Sequence, residues 1–97
     1  MILEAAYLSV RPNADLAKFE ANFKLAGQYI SSIKGYISHS LQKCLEVPNR
    51  YLLLVQWETL EDHTIGFRQS DAYQKWKALL HHYYEPFPTV EHFTEVS

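Results

Sequence analysis

Hydrophobic positions change period several times along the chain, and each change marks an element. Ile2 to Val10 is apolar and β-compatible, then stops at Arg11-Pro12-Asn13, which predicts a first strand closed by a turn. Asn13 and Asp15 suit a helix start, because their side-chain oxygens accept from free backbone N–H groups. Leu16, Phe19, Phe23, Ala26, Ile30 and Ile33 then recur at helical spacing, one apolar stripe on a long helix. Lys34-Gly35 ends it, since glycine takes a left-handed cap at little cost. From Tyr36 to Glu46 the pattern alternates, with Ile37, His39, Leu41, Lys43 and Leu45 on one face and Tyr36, Ser38, Ser40, Gln42 and Cys44 on the other. Pro48-Asn49 predicts the turn of an antiparallel hairpin. The following run, Tyr51 to Trp57, is nearly continuous in apolar residues, so both faces of that strand are expected to be buried.

Thr59 and Asp62 resemble a capping box, opening a short helix with Leu60, His63 and Phe67 inward and Gly66 loosening it. Ser70 or Asp71 starts a further helix carrying Tyr73, Trp76, Leu79, Leu80 and Tyr83. Pro86-Phe87-Pro88 halts it. Thr89 to Val96 alternates again, with Val90, His92, Thr94 and Val96 on one face. The order β-α-β-β-α-β predicts an α+β fold of ferredoxin-like type, an antiparallel sheet with helices on one face. Residues 1–97 read as one domain. An apolar third strand would leave its helix-free face wet in a monomer, forgoing roughly 1.5–3 kcal/mol for each large side chain. A homodimer joined through its sheet faces is therefore expected.

Composition narrows the partners. The formal charge of −2 is spread without blocks, which argues against nucleic acid and against an anionic membrane surface. No apolar run approaches a membrane span, and the start of the chain lacks a signal-peptide pattern. The single cysteine, Cys44, fits a reducing, cytoplasmic compartment. The five histidines show no metal-ligand spacing, and His81-His82 are adjacent, so no metal is expected. With three glycines and no glycine-rich loop, neither a nucleotide nor a flavin cofactor is expected.

The stretch Trp57-Glu58-Thr59-Leu60-Glu61-Asp62-His63, followed by Phe67, Ser70 and Tyr73, resembles the antibiotic biosynthesis monooxygenase domains. Pro86 to Phe93 resembles the last strand of that family. The resemblance implies a dimeric α/β barrel with a pocket between helices and sheet. It also implies oxidation of a small aromatic or polyketide-like phenol or quinol by O₂ without a cofactor. Two other readings stay open: a non-catalytic small-ligand or stress-response domain, and a haem-binding or haem-degrading member. Residues 2–10 contain no Asn where the best-known members carry one, Tyr7 being the closest large polar side chain. Phe67 stands where their helix carries Trp, and Lys77 aligns with the haem-ligating His.

Candidate chemistry follows from these positions. His63 could take a phenolic proton, and Tyr7 could hydrogen-bond a substrate oxygen. Trp57, Phe67, Tyr73 and Trp76, with His39 and His92 on strands, are the expected lining for a small hydrophobic aromatic ligand. For each there is a plainer alternative: a core aromatic, a buried histidine held by one hydrogen bond, or an ordinary strand tyrosine.

Overall fold

Alternation along the first strand, β1 (Ile2–Ser9), sorts its side chains onto two faces of a sheet. Ala6 and Leu8 are buried on one face, with Glu4 beside them, while Tyr7 on the other is 61% exposed. The computed structural model describes Met1–Ser97. It comprises β1, α1 (Leu16–Ile30), β2 (Tyr36–Lys43), β3 (Arg50–Trp57), a six-residue π-helical turn (Asp62–Phe67), α2 (Asp71–Leu80), a 3₁₀ turn (His81–Tyr83) and β4 (Val90–Phe93). The strands run antiparallel in the order β2-β3-β1-β4, the ferredoxin-like arrangement expected from the pattern.

Local signals set the element ends. The Asp15 carboxylate accepts from the Lys18 N–H at 3.2 Å and caps α1. Ser70 caps α2, its Oγ accepting from the Tyr73 N–H at 3.1 Å. Thr59 and Asp62 exchange hydrogen bonds at 3.2 Å each, a true capping box. Gly35 lies at φ 89°, and a β-carbon there would come within 2.0 Å of the Asp62 carboxylate, so only glycine fits.

One core cluster of sixteen residues lies between helices and sheet. Phe19 and Phe23 of α1, Trp76 and Leu80 of α2, and Tyr51, Leu53, Val55 and Trp57 of β3 are its main members. Phe19 is its hub, with Tyr51 and Tyr83 ring centroids at 5.0 and 5.2 Å.

The structure corrects several element expectations: Leu60, expected inward, is exposed, and Tyr83 follows α2 on the 3₁₀ turn. Helix α1 ends at Ile30, short of Ile33. A bulge in β2 puts Tyr36 opposite Trp57 and Ser38 opposite Gln56, so Ile37 is the extra residue and Tyr36 joins the helix-covered face. The strict alternation predicted there fails, because an inserted residue reverses the faces on one side of it. Strand β4 stops at Phe93. Within the single chain, β3 is fully buried on its helix side, with Leu52 and Leu54 half-buried on the other.

Candidate functional site

Beneath α2 and above β1 lies a cavity of about 400 Å³. Its floor is Glu4, Ala6 and Leu8 of β1 with Leu53 of β3. Phe67, Tyr73, Trp76, Tyr84 and Phe87 form an aromatic wall, and His63, Arg68 and His81 add polar groups. A mostly apolar space with a few placed polar groups is what a small-ligand site requires.

Backbone register brings the polar groups together. Glu4 of β1 pairs directly with His92 of β4, on the helix-covered face. The π-helical turn after β3 delivers His63 to the same place. Glu4 is 5% exposed and His63 is 3% exposed. Trp57 Nε1 donates to Glu4 Oε1 at 2.9 Å. His63 Nε2 lies 3.3 Å from that same oxygen, and His63 Nδ1 lies 2.8 Å from His92 Nε2. The Trp57 indole stacks on the His63 ring at 5.4 Å and 19°, locking its plane. The result is a line, His92–His63–Glu4, anchored at its inner end by Trp57. No group of His, Cys, Asp or Glu side chains converges to hold a metal ion.

Burial sets the electrostatics. It pushes the Glu4 carboxyl above its usual range, with the Trp57 hydrogen bond and the Arg68 charge opposing. It pushes His63 down to about 3, helped by the positive charge of Arg68 and by His92. His92 is lowered by the same burial and by Arg68. His63 is therefore a neutral imidazole that binds a proton weakly, and the better proton acceptor of the pair is Glu4. His81, at the end of α2, is lowered by burial and by Lys77, and its Nδ1 is buried without a hydrogen-bond partner.

The predicted residues separate into three groups. His63, Phe67, Tyr73 and Trp76 line the cavity. Trp57 and His92 stand behind it, bonded to Glu4 and to His63. Trp57 is fully buried, so its faces meet protein side chains and offer no stacking surface. Tyr7 and His39 lie elsewhere. Tyr7 sits on the opposite face of the sheet, because it is an odd number of residues from Glu4. His39 packs near Phe23 of α1 and takes a 2.6 Å hydrogen bond with the Tyr36 hydroxyl, away from the cavity.

The sequence pattern did not single out Glu4 or Arg68. For Glu4 a signal was present: it is the one charged residue between Ile2 and Val10. It also shares the even-numbered register with Ala6, Leu8 and Val10, so it had to point into the core. For Arg68, on a turn, no periodic signal exists.

Comparison with known proteins places this geometry in a lineage. A sequence profile for antibiotic biosynthesis monooxygenase matches residues 1–79. The uncharacterized protein YczJ of Bacillus subtilis (strain 168) is 58% identical over 96 residues, covering 99% of this chain and 100% of the relative. A solved Bordetella bronchiseptica protein, provisionally assigned as an antibiotic biosynthesis monooxygenase, superposes with a TM-score of 0.93 at 34% identity, covering 99% of this chain and 97% of the other. SnoaB of Streptomyces nogalater, a cofactor-independent oxygenase, shares the fold at a TM-score of 0.73 and 19% identity, over 99% and 93% of the two chains. With the profile covering most of its length and a solved relative matching end to end, the chain belongs to the antibiotic biosynthesis monooxygenase family.

Proposed function

We propose that the cavity binds a planar phenol or quinol and that the protein oxidises it with O₂, using neither metal nor flavin. One observation carries this reading: a buried carboxylate–imidazole pair, Glu4 and His63, on the wall of an aromatic cavity of about 400 Å³. That volume lies within the range of roughly 300–1,000 Å³ typical of small-ligand sites. Phe67, Tyr73 and Trp76 offer ring faces and edges to a flat ligand. Glu4 accepts the phenolic proton, with Trp57 Nε1 holding Oε1 at 2.9 Å and His63 packed against that oxygen. The phenolate gives up electrons more readily than the phenol, and O₂ is the oxidant. One oxygen atom joins the ring carbon, the other leaves as water with the phenolic and ring hydrogens, and the product is a quinone. Family membership and the fold shared with a cofactor-independent oxygenase support this reading.

Oxygen uptake against a panel of hydroquinones and polycyclic phenols, with chelator present, tests it. Uptake that persists with chelator and falls about 10²–10⁴-fold in His63→Ala is expected. No uptake, with clear thermal stabilisation by the same compounds, would replace the oxygenase with a ligand-binding domain.

The same proposal includes a homodimer through the helix-free sheet face. Leu3, Ala5, Tyr7, Leu52, Leu54 and Phe93 share that face, and Tyr7 and Phe93 are exposed in the single chain. In that assembly Tyr7 is an interface residue. The lone cysteine fits a reducing, cytoplasmic setting. Sedimentation equilibrium of the native chain and of Leu54→Glu checks the assembly, with a dimer and a monomer expected in turn.

A further inference from the structure

We propose that Glu4, His63 and His92 form a proton relay between the cavity and the sheet edge, with His92 as its outer port. This deepens the reading above and rests on it for its role in turnover. The proton linkage itself stands on the geometry alone.

A neutral imidazole has one donor and one acceptor nitrogen. His63 lies between two groups: its Nδ1 is hydrogen-bonded to His92 Nε2 at 2.8 Å, and its Nε2 is in contact with Glu4 Oε1 at 3.3 Å. A proton crosses from Glu4 to His92 only when His63 donates at one nitrogen and accepts at the other, which leaves two arrangements. In the first, Glu4 is a carboxylate, His63 Nε2–H donates to it, and His92 Nε2–H donates to His63 Nδ1. In the second, Glu4 is a carboxylic acid donating to His63 Nε2, His63 Nδ1–H donates to His92 Nε2, and His92 carries its hydrogen on Nδ1. The two differ by one proton. Loss of the His92 Nδ1 proton to water, with one transfer along each of the two contacts, converts the second into the first. Every ring is neutral at both ends of the process, and the net change is one proton from Glu4 to solvent.

Burial explains why the route is needed. Glu4 and His63 are 5% and 3% exposed, whereas His92 is half-buried on β4, an edge strand of the sheet. A ligand filling the cavity separates Glu4 from solvent on that side, so the acid formed there discharges through His63 and His92. The charged group acting on all three members is Arg68, which opposes imidazolium and favours carboxylate. Trp57 Nε1 holds Glu4 Oε1 in line. The depressed basicity of both histidines agrees with passage through neutral forms.

A pH titration of the isotope-labelled full chain by ¹⁵N and ¹³C NMR, without ligand, tests the relay. The expected result is a common midpoint for the Glu4 carboxyl carbon and the ring nitrogens of His63 and His92. Through it, as pH falls, the hydrogen on His63 moves from Nε2 to Nδ1. In Glu4→Gln that shared midpoint disappears from both histidines, while His39, away from the cavity, titrates as before. Glu4 titrating with both histidine tautomers unchanged would overturn the relay, as would His92 charging alone at its own midpoint. If Glu4→Gln does not fold, the coincidence of midpoints in the native chain decides. Inertness toward every phenol would overturn the oxygenase reading and leave the relay intact; separate midpoints would do the reverse.

Discussion

The two faces of the sheet are made by the same strands and have opposite fates. On the covered face, β1 and β3 present Ala6, Leu8, Tyr51, Leu53, Val55 and Trp57, all at most 4% exposed. On the other face the intervening residues, Leu52, Leu54 and Tyr7 among them, are half-buried or exposed. Strand propensity is equal on the two faces, since they alternate along one backbone. What differs is the cover supplied by α1 and α2. The comparison teaches that a polar residue on β1 acquires chemistry on the covered side: Glu4 gains a raised pKa and Trp57, His63 and His92 as neighbours, whereas Tyr7 stays exposed.

The largest effect expected from breaking the covered face is on stability. Phe19→Ala removes the hub ring, and a loss of about 3–5 kcal/mol in urea denaturation is expected. Leu54→Ala on the open face, measured at concentrations low enough to keep single chains apart, is expected to cost under about 1.5 kcal/mol. A similar cost for the two would erase the contrast.

Acid sharpens the comparison next. The folded pKa of His63, about 3, lies below its unfolded value of 6.5. Its contribution is therefore present above pH 6.5 and lost as the pH falls through 3. Glu4 acts with the opposite sign: its raised folded pKa favours the protonated form, so its contribution is present below 4.5 and lost as pH rises. Urea midpoints across this range should show His63→Phe abolishing an acid-side loss of about 3 kcal/mol, after allowance for solvent screening. An unchanged slope would mean that His63 does not titrate as its burial requires.

The smallest effect is expected at Tyr7. Tyr7→Phe removes a hydroxyl on the open face, and phenol affinity by thermal shift should stay within about twofold, under 0.5 kcal/mol. Glu4→Gln, by contrast, should weaken phenol-dependent oxygen uptake at least as strongly as His63→Ala. A larger effect from Tyr7→Phe than from Glu4→Gln would move the site to the other face of the sheet.

Much of the fold was legible in the chain because it depends on neighbours in sequence. Caps at Asp15, Thr59 and Ser70 and the period changes place every element in the right order. Part of the site was legible for the same reason: Phe67 at the end of the short helical turn and the Tyr73 and Trp76 stripe of α2 meet the cavity. The β2 bulge was not, because it is decided by the partner strand β3.

Sequence alone determined that the chain alternates strands and helices in the split βαβ order; a pocket between helices and sheet was what the family resemblance implied. Only the tertiary structure decided which strand residue faces His63. The Glu4–His92 pairing joins residues from opposite ends of the chain, and the His63 contact joins them to a turn near its middle. Such contacts depend on strand register, and a shift of one residue would have put Tyr7 or Leu3 on the covered face in place of Glu4.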